Sequence, residues 1–227
     1  SHLWVAFDVF AQFTVQFALL AAAFTVGFFL PRAKVALSLA LFVALLAAYG
    51  GWPLMMQDNL LSARANPATA GSLKVLTFNT WLGNSSPDDV EAEIRRVDAD
   101  VVALVEFSPR KQHLLSSLRS LYPHQAKCEG ANHCAFAILS KYPLVSSSMQ
   151  MLWEGPPYMH AVLGGELAGL NVFAVHTTRF PHSRAQFRQM KALSALLQQT
   201  PGPKLVMGDF NATPYSRMTG LLEQEAD

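Results

Sequence analysis

No charged residue occurs between Val9 and Pro31, and none between Val35 and Gln57. Each run is long enough to cross a hydrocarbon core, which takes about 20 apolar residues as a helix. The whole chain of 227 residues is 51% hydrophobic and only 15% charged, and these two runs carry the charge deficit. Beyond Gly71 the composition is that of an ordinary soluble domain. A buried helical hairpin is the other reading, and two uncharged runs of this length count against it. Residues 1–56 are therefore expected to hold two transmembrane helices, at about 9–30 and 35–52.

The connection between the runs is Pro31-Arg-Ala-Lys34, and Asp8 and Asp58 stand at their outer ends. Basic residues in a short connection mark the cytoplasmic side. Both outer ends then point away from the cytoplasm, so the downstream domain is expected on the extracytoplasmic side. Gln12, Thr14 and Gln16 in the first run are polar and expected to face another helix. Trp52 suits an interfacial anchor. An outward start without an initiator Met suggests a longer protein with a preceding helix. Ala68-Thr69-Ala70 resembles a signal-peptidase site but lies too far beyond the apolar run. Residues 57–72, rich in Asn, Ala, Ser and Pro, read as a linker.

From Leu73 the pattern alternates strands and helices. Leu73 to Asn79 is a mostly buried strand, and Ser86-Pro87-Asp88-Asp89 starts a helix that runs to about Val97. Asp98-Ala-Asp100 breaks it. Val101 to Val105 is a continuous apolar strand ending at Glu106, and Pro109 opens a helix to about Arg119. Ala135 to Leu139 is the next strand. His160 to Leu167 and Leu170 to Val175 read as a hairpin around Ala168-Gly169. A helix spans about Ser183 to Gln199, with Phe187, Met190, Leu193, Ala195, Leu196 and Leu197 as its core face. Leu205, Val206 and Met207 form a short buried strand behind a Pro-Gly-Pro break, and a last helix starts near Ser216. The two cysteines, Cys128 and Cys134, form a small-loop disulfide if the domain lies outside the cytoplasm. With His133 they make a poor zinc set.

The chemistry-bearing residues sit at strand ends. Gly208 lets the chain turn tightly, and Asp209 and Asn211 follow, two residues apart on one side of an extended chain. An acid there can position a water, and an amide can donate to a phosphate oxygen. Taken alone, the pair also reads as a plain Asp/Asn turn. Glu106 alone is a surface acid, His176 a core histidine, and Asn79 a turn former. That all of them terminate apolar strands points to one sheet edge and one site.

In sequence order, Thr-Phe-Asn79-Thr-Trp, Leu-Val-Glu106-Phe, Ala-Ile-Leu-Ser-Lys-Tyr-Pro143, Val-His176-Thr-Thr and Met-Gly-Asp209-Phe-Asn211 resemble the ordered motifs of the endonuclease/exonuclease/phosphatase superfamily. That superfamily includes deoxyribonuclease I, repair nucleases, inositol polyphosphate 5-phosphatases and bacterial sphingomyelinases. The hairpin ahead of the domain is similar to that of bacterial membrane-anchored members. The resemblance covers Leu73 to the end. It implies an α/β fold, a four-layer sandwich of two packed β-sheets flanked by helices. It implies that Glu106, with Asn79, holds Mg²⁺ or Mn²⁺, and that Asn79, His176 and Asn211 bind the substrate phosphate. His176, Asp209 and Asn211 would be catalytic, in in-line attack of water on a phosphoester. The substrate would be a lipid head group, a small phosphoester or a nucleic acid. The place would be the bacterial inner membrane, with the domain outside.

One departure stands out. The superfamily ends on an Asp-His pair that supplies a general base with Asp209, and the sixteen residues 212–227 contain no histidine. The expectation is a fragment, short of one strand and inactive alone. A non-catalytic binding or sensing module that keeps the fold is the alternative. The net charge of +1 and the lack of a basic run weigh against nucleic acid. Arg179 and Arg184 read as a solvated loop and helix start or as phosphate contacts, and Trp81 as packing or cleft lining. His113, His124, His133 and His160 have no partner motif.

Overall fold

A computed structural model describes residues 16–18, 20, 21, 41, 72–128, 135–179, 182–213 and 216–223. The expected membrane spans lie outside the described residues except for isolated helical positions, Gln16 to Ala18, Leu20, Ala21 and Leu41. No helix among the described residues is long and apolar enough to cross a membrane. The linker 57–71 and Cys134 also lie outside them. Residues 73–211 form one compact unit, and 212–223 group with a second. In that second unit a helix spans Arg217–Glu223.

Within 73–211 the strands are β1 (Val75–Asn79), β2 (Val101–Val105), β3 (His124–Lys127), β4 (Phe136–Ser140), β5 (Leu144–Met151), β6 (Pro157–Leu163), β7 (Asn171–His176) and β8 (Lys204–Asp209). The helices are α1 (Pro87–Val97), α2 (His113–Ser117) and α3 (Ser183–Gln199). They make two four-stranded sheets, ordered β1-β2-β4-β3 and β5-β6-β7-β8. β1 runs parallel to β2 and β7 parallel to β8; the other neighbours are antiparallel.

The continuous apolar run of β2 explains its place. All five of its residues are fully buried, as a central strand covered on both faces must be. Alternate residues serve two cores. Val101, Ala103 and Val105 meet Ile138, Ala161, Val172, Ala174 and Met207 between the sheets. Val102 and Leu104 pack outward on Val90 and Ile94 of α1 and on Leu114, Leu115 and Leu118. On the second sheet Phe173 and Val175 turn the other way and are equally buried, as are Met190 and Leu193 of α3. Two sheets between two helical layers are the expected sandwich.

Several local expectations are corrected. Ser86 is the N-cap of α1 but makes no capping bond with its side chain; its N–H instead donates to Asn84 Oδ1 at 2.8 Å. The helix expected over Pro109 to Arg119 is a 3₁₀ turn, Pro109–Lys111, followed by the short α2. The buried stripe of α3 is Gln186, Met190, Leu193 and Ser194, while Ala195 is exposed. The first arm of the expected hairpin is displaced, spanning Pro157–Leu163, and a 3₁₀ turn at Gly165–Leu167 precedes β7. The edge strands β3 and β5 were not anticipated. Each has one open side and carries polar residues, which erases the alternation that marks a strand.

Candidate active site

The four strand ends converge. Asn79 is the last residue of β1 and pairs with Val105, so Glu106 emerges beside it. His176 and Asp209 are the last residues of β7 and β8 and are paired with each other. The site thus lies at the carboxyl ends of two parallel pairs, one in each sheet, where open α/β sheets place ligands.

Asn79 joins the two halves. Its Nδ2 donates to Glu106 Oε1 at 2.9 Å and to Asp209 Oδ2 at 2.8 Å. Its Oδ1 accepts from the Trp81 N–H at 2.9 Å, which fixes the amide orientation with nitrogen toward the carboxylates. Glu106 Oε2 accepts from the Leu82 N–H at 2.9 Å. His176 Nε2 stands 3.7 Å from Glu106 Oε1. Asp209 Oδ1 accepts from the Asn211 N–H at 2.9 Å, and Asn211 Nδ2 donates to Thr177 O at 2.8 Å. All five expected residues are therefore brought together.

Backbone strain marks the same place. Trp81, Glu106 and Asn211 have φ of 51°, 53° and 48°, a left-handed region that non-glycine residues seldom occupy. Such conformations persist only where surroundings hold them. Thr80 Oγ1 donates to Val105 O at 3.2 Å and Glu106 O at 3.0 Å. Lys111, 1% exposed, donates to Trp81 O and, at 3.4 Å, to Glu106 O. Around Asn211, Gln186 Nε2 donates to Phe210 O at 2.9 Å and Asn211 O at 2.8 Å, and Thr177 Oγ1 donates to Phe210 O.

Thr80, Lys111, Thr177 and Gln186 were not expected from the sequence. Gln186 did carry a signal: it is a polar residue in line with Met190 and Leu193 on the apolar stripe. Gly208 also serves differently from expectation. It lies inside β8 with φ +135°, and a Cβ there would come 1.9 Å from Val175 O. Its role is close backbone approach between β7 and β8, not a turn after the strand.

Burial pushes the Glu106 carboxyl up, and the adjacent Asp209 charge adds to that. The bonds from Asn79 and the Leu82 N–H, with the His176 charge, outweigh both, so Glu106 sits below the ordinary carboxylate range. It is ionised at neutral pH. Burial also pulls the Lys111 ammonium below its usual value, against the pull of Glu106.

An ionised carboxylate beside a second acid is a hard, oxygen-rich donor set that fits Mg²⁺ or Mn²⁺. Among the described residues no three His, Cys, Asp or Glu side chains form a cage for an ion. Asn79 turns its nitrogen, not its oxygen, toward both carboxylates, which leaves Glu106 and Asp209 as the oxygen donors there.

The other candidates stand apart. Arg179 and Arg184 are exposed. His113 bonds Arg110 O, and His160 bonds Asn171 and stacks on Phe173. His124 lies in β3, and His133 is outside the described residues. Cys128 is disulfide-bonded, which removes it as a zinc thiolate.

The model of the Endonuclease/Exonuclease/phosphatase family matches residues 76–224. Among curated proteins none matches the chain. Solved structures show the same fold at low identity. Sphingomyelinase C from Streptomyces griseocarneus is 21% identical, over 70% of this chain and 70% of that one, with a TM-score of 0.56. A beta toxin mutant from Staphylococcus aureus with bound magnesium ions is 16% identical, over 69% and 70%, with a TM-score of 0.57. TDP2 of D. rerio, complexed with a single-strand DNA product, is 14% identical, over 66% and 64%, with a TM-score of 0.55.

Proposed function

The chain belongs to the endonuclease/exonuclease/phosphatase family, and from that premise we propose that it is a divalent-metal-dependent phosphoesterase. It would hydrolyse a phosphodiester or phosphomonoester by in-line attack of water. The observation that carries this is the bridge from Asn79 to both Glu106 and Asp209. It holds two carboxylates at one point on the carboxyl edge of both sheets.

Glu106 would hold Mg²⁺ or Mn²⁺. When bound, the ion neutralises charge on the phosphate as it builds in the transition state. Asn79 orients both carboxylates. Asp209, its other oxygen fixed by the Asn211 N–H, orients the attacking water. His176, directly across from Asp209, donates to a non-bridging phosphate oxygen. Asn211 spends one amide N–H on Thr177 O and has a second for the phosphate. Held donors of this kind need no reorganisation as charge develops.

For substrate, a lipid head group is favoured. The uncharged runs before the linker would tether the domain to a bilayer, and the near-neutral charge is a poor match for nucleic acid. Trp81 beside the site is 65% exposed, as an aromatic group facing lipid would be. The disulfide at Cys128 supports an extracytoplasmic domain at the inner membrane. The test is hydrolysis by the purified full-length protein of sphingomyelin, a dinucleotide and a phosphomonoester, with Mg²⁺ and with EDTA. If no metal-dependent hydrolysis appears, and wild type matches Glu106→Ala, the reading is wrong. A reporter fused after Ser72 that is active only in the cytoplasm refutes the orientation.

A further inference from the structure

Lys111 is a buried cation with an unusual set of partners. A lysine is almost never fully buried unless its charge is compensated, and burying an ammonium without partners is costly. No carboxylate is paired with Lys111 among the described ion pairs. Its ammonium instead donates to two main-chain carbonyls, Trp81 O and Glu106 O. Those are two of the three residues at the site with left-handed backbone. They also belong to the two loops that meet at the Glu106 carboxylate, since Leu82 N–H donates to it. Lys111 therefore touches the site by main chain only and leaves the Glu106 carboxylate to Asn79 and the Leu82 N–H.

We propose that Lys111 is a positioning residue for Glu106. Its ammonium gathers the Trp81 and Glu106 carbonyls, and so holds both loops in the conformations that aim the Glu106 carboxylate at Asn79. The 3₁₀ turn Pro109–Lys111 is what delivers the side chain inward. Thr80, which bonds the same Glu106 carbonyl, is the second support. This inference rests on the reading of Glu106 as the metal-holding carboxylate, but its first readout does not need the metal.

The experiment compares wild type, Lys111→Met and Leu118→Ala, a fully buried outer-core position that bonds neither Trp81 nor Glu106. Amide hydrogen exchange is followed at Leu82, and Mg²⁺ affinity by calorimetry. In Lys111→Met, Leu82 exchange should rise about tenfold while Met190 exchange does not change. Mg²⁺ affinity should fall roughly 10–100-fold, the usual loss when a group supporting a metal ligand is removed. Any lost turnover should return at high Mg²⁺, with KM for the phosphoester unmoved. Leu118→Ala, though destabilised, should keep wild-type values at Leu82. Unchanged Leu82 exchange in Lys111→Met overturns the proposal. A wild type that binds no Mg²⁺ while Leu82 still loosens overturns the metal reading instead and leaves the positioning role standing. If Lys111→Met does not fold, Lys111→Gln, neutral and shorter, is judged by the same readouts.

Discussion

Asn79 and Asp209, 130 positions apart in sequence, share a hydrogen bond of 2.8 Å. This bond crosses from one sheet to the other. It makes the site a joint product of the two halves, because the same nitrogen holds Glu106. Asn79→Asp would put a third carboxylate between two others and remove the donor. Metal-dependent kcat should fall by roughly 10²-fold or more, a loss typical of removing one oriented donor. Steady-state kinetics at saturating Mg²⁺ measure it. Turnover within threefold of wild type would mean that the bridge is not needed.

Gly208→Ala tests the β7–β8 approach. The new Cβ would meet backbone atoms of Val175, with 1.9 Å to its carbonyl oxygen, and backbone cannot swing aside as a side chain can. The loss should exceed about 3 kcal/mol, at the severe end for single substitutions. Chemical denaturation reads it, and a midpoint shift of under about 1 kcal/mol equivalent contradicts the close approach.

Glu106 makes stability depend on pH in a definite direction. Its folded pKa lies below the ordinary 4.5. Its contribution is therefore complete above 4.5 and is lost as pH falls through the depressed value. In EDTA, the stability gap between wild type and Glu106→Ala should narrow as pH drops from neutral to about 3. Urea midpoints across that range provide the check, and a gap that widens on acidification would show a carboxyl held protonated.

Gln186→Leu keeps the volume of a buried side chain but removes its donor. Phe210 O and Asn211 O then lose the bonds at 2.9 Å and 2.8 Å. Phe210 O keeps the Thr177 hydroxyl, whereas Asn211 O loses this donor, and a carbonyl left without a partner costs about 1–3 kcal/mol. Hydrogen exchange should rise in 209–213 and stay flat in α1. No change there would remove Gln186 from the support of the Asn211 loop.

Added Mg²⁺ should raise the melting temperature of wild type and not of Glu106→Ala. Binding only the folded state stabilises it by about 2.7 kcal/mol at a concentration 100 times Kd. A thermal-shift titration decides it, and equal shifts in both proteins would place the ion elsewhere.

Much of this was legible in the sequence. Apolar runs and amphipathic spacing located β1, β2, β4, β7, β8, α1 and α3, although β1, at a sheet edge, has no buried residue and is not the mostly buried strand expected. The motif order brought out Asn79, Glu106, His176, Asp209 and Asn211, since a site at strand ends leaves polar residues abutting apolar runs. The edge strands β3 and β5 left no such pattern, because polar residues, His124-Gln125 and Ser146 to Ser148, interrupt their apolar runs.

What the chain order could not decide was which residues meet across the sandwich. Sequence spacing placed a charged Lys111 in an ordinary helix and Gly208 in a turn. The tertiary structure put the first under Glu106 and the second against Val175. It also turned the Asn79 amide so that its nitrogen, not its oxygen, faces the two carboxylates. The physical reason is common to all three. Local pattern reports whether a residue is wet or dry, whereas a hydrogen bond or a close backbone approach depends on the distance between segments that only sheet packing brings together.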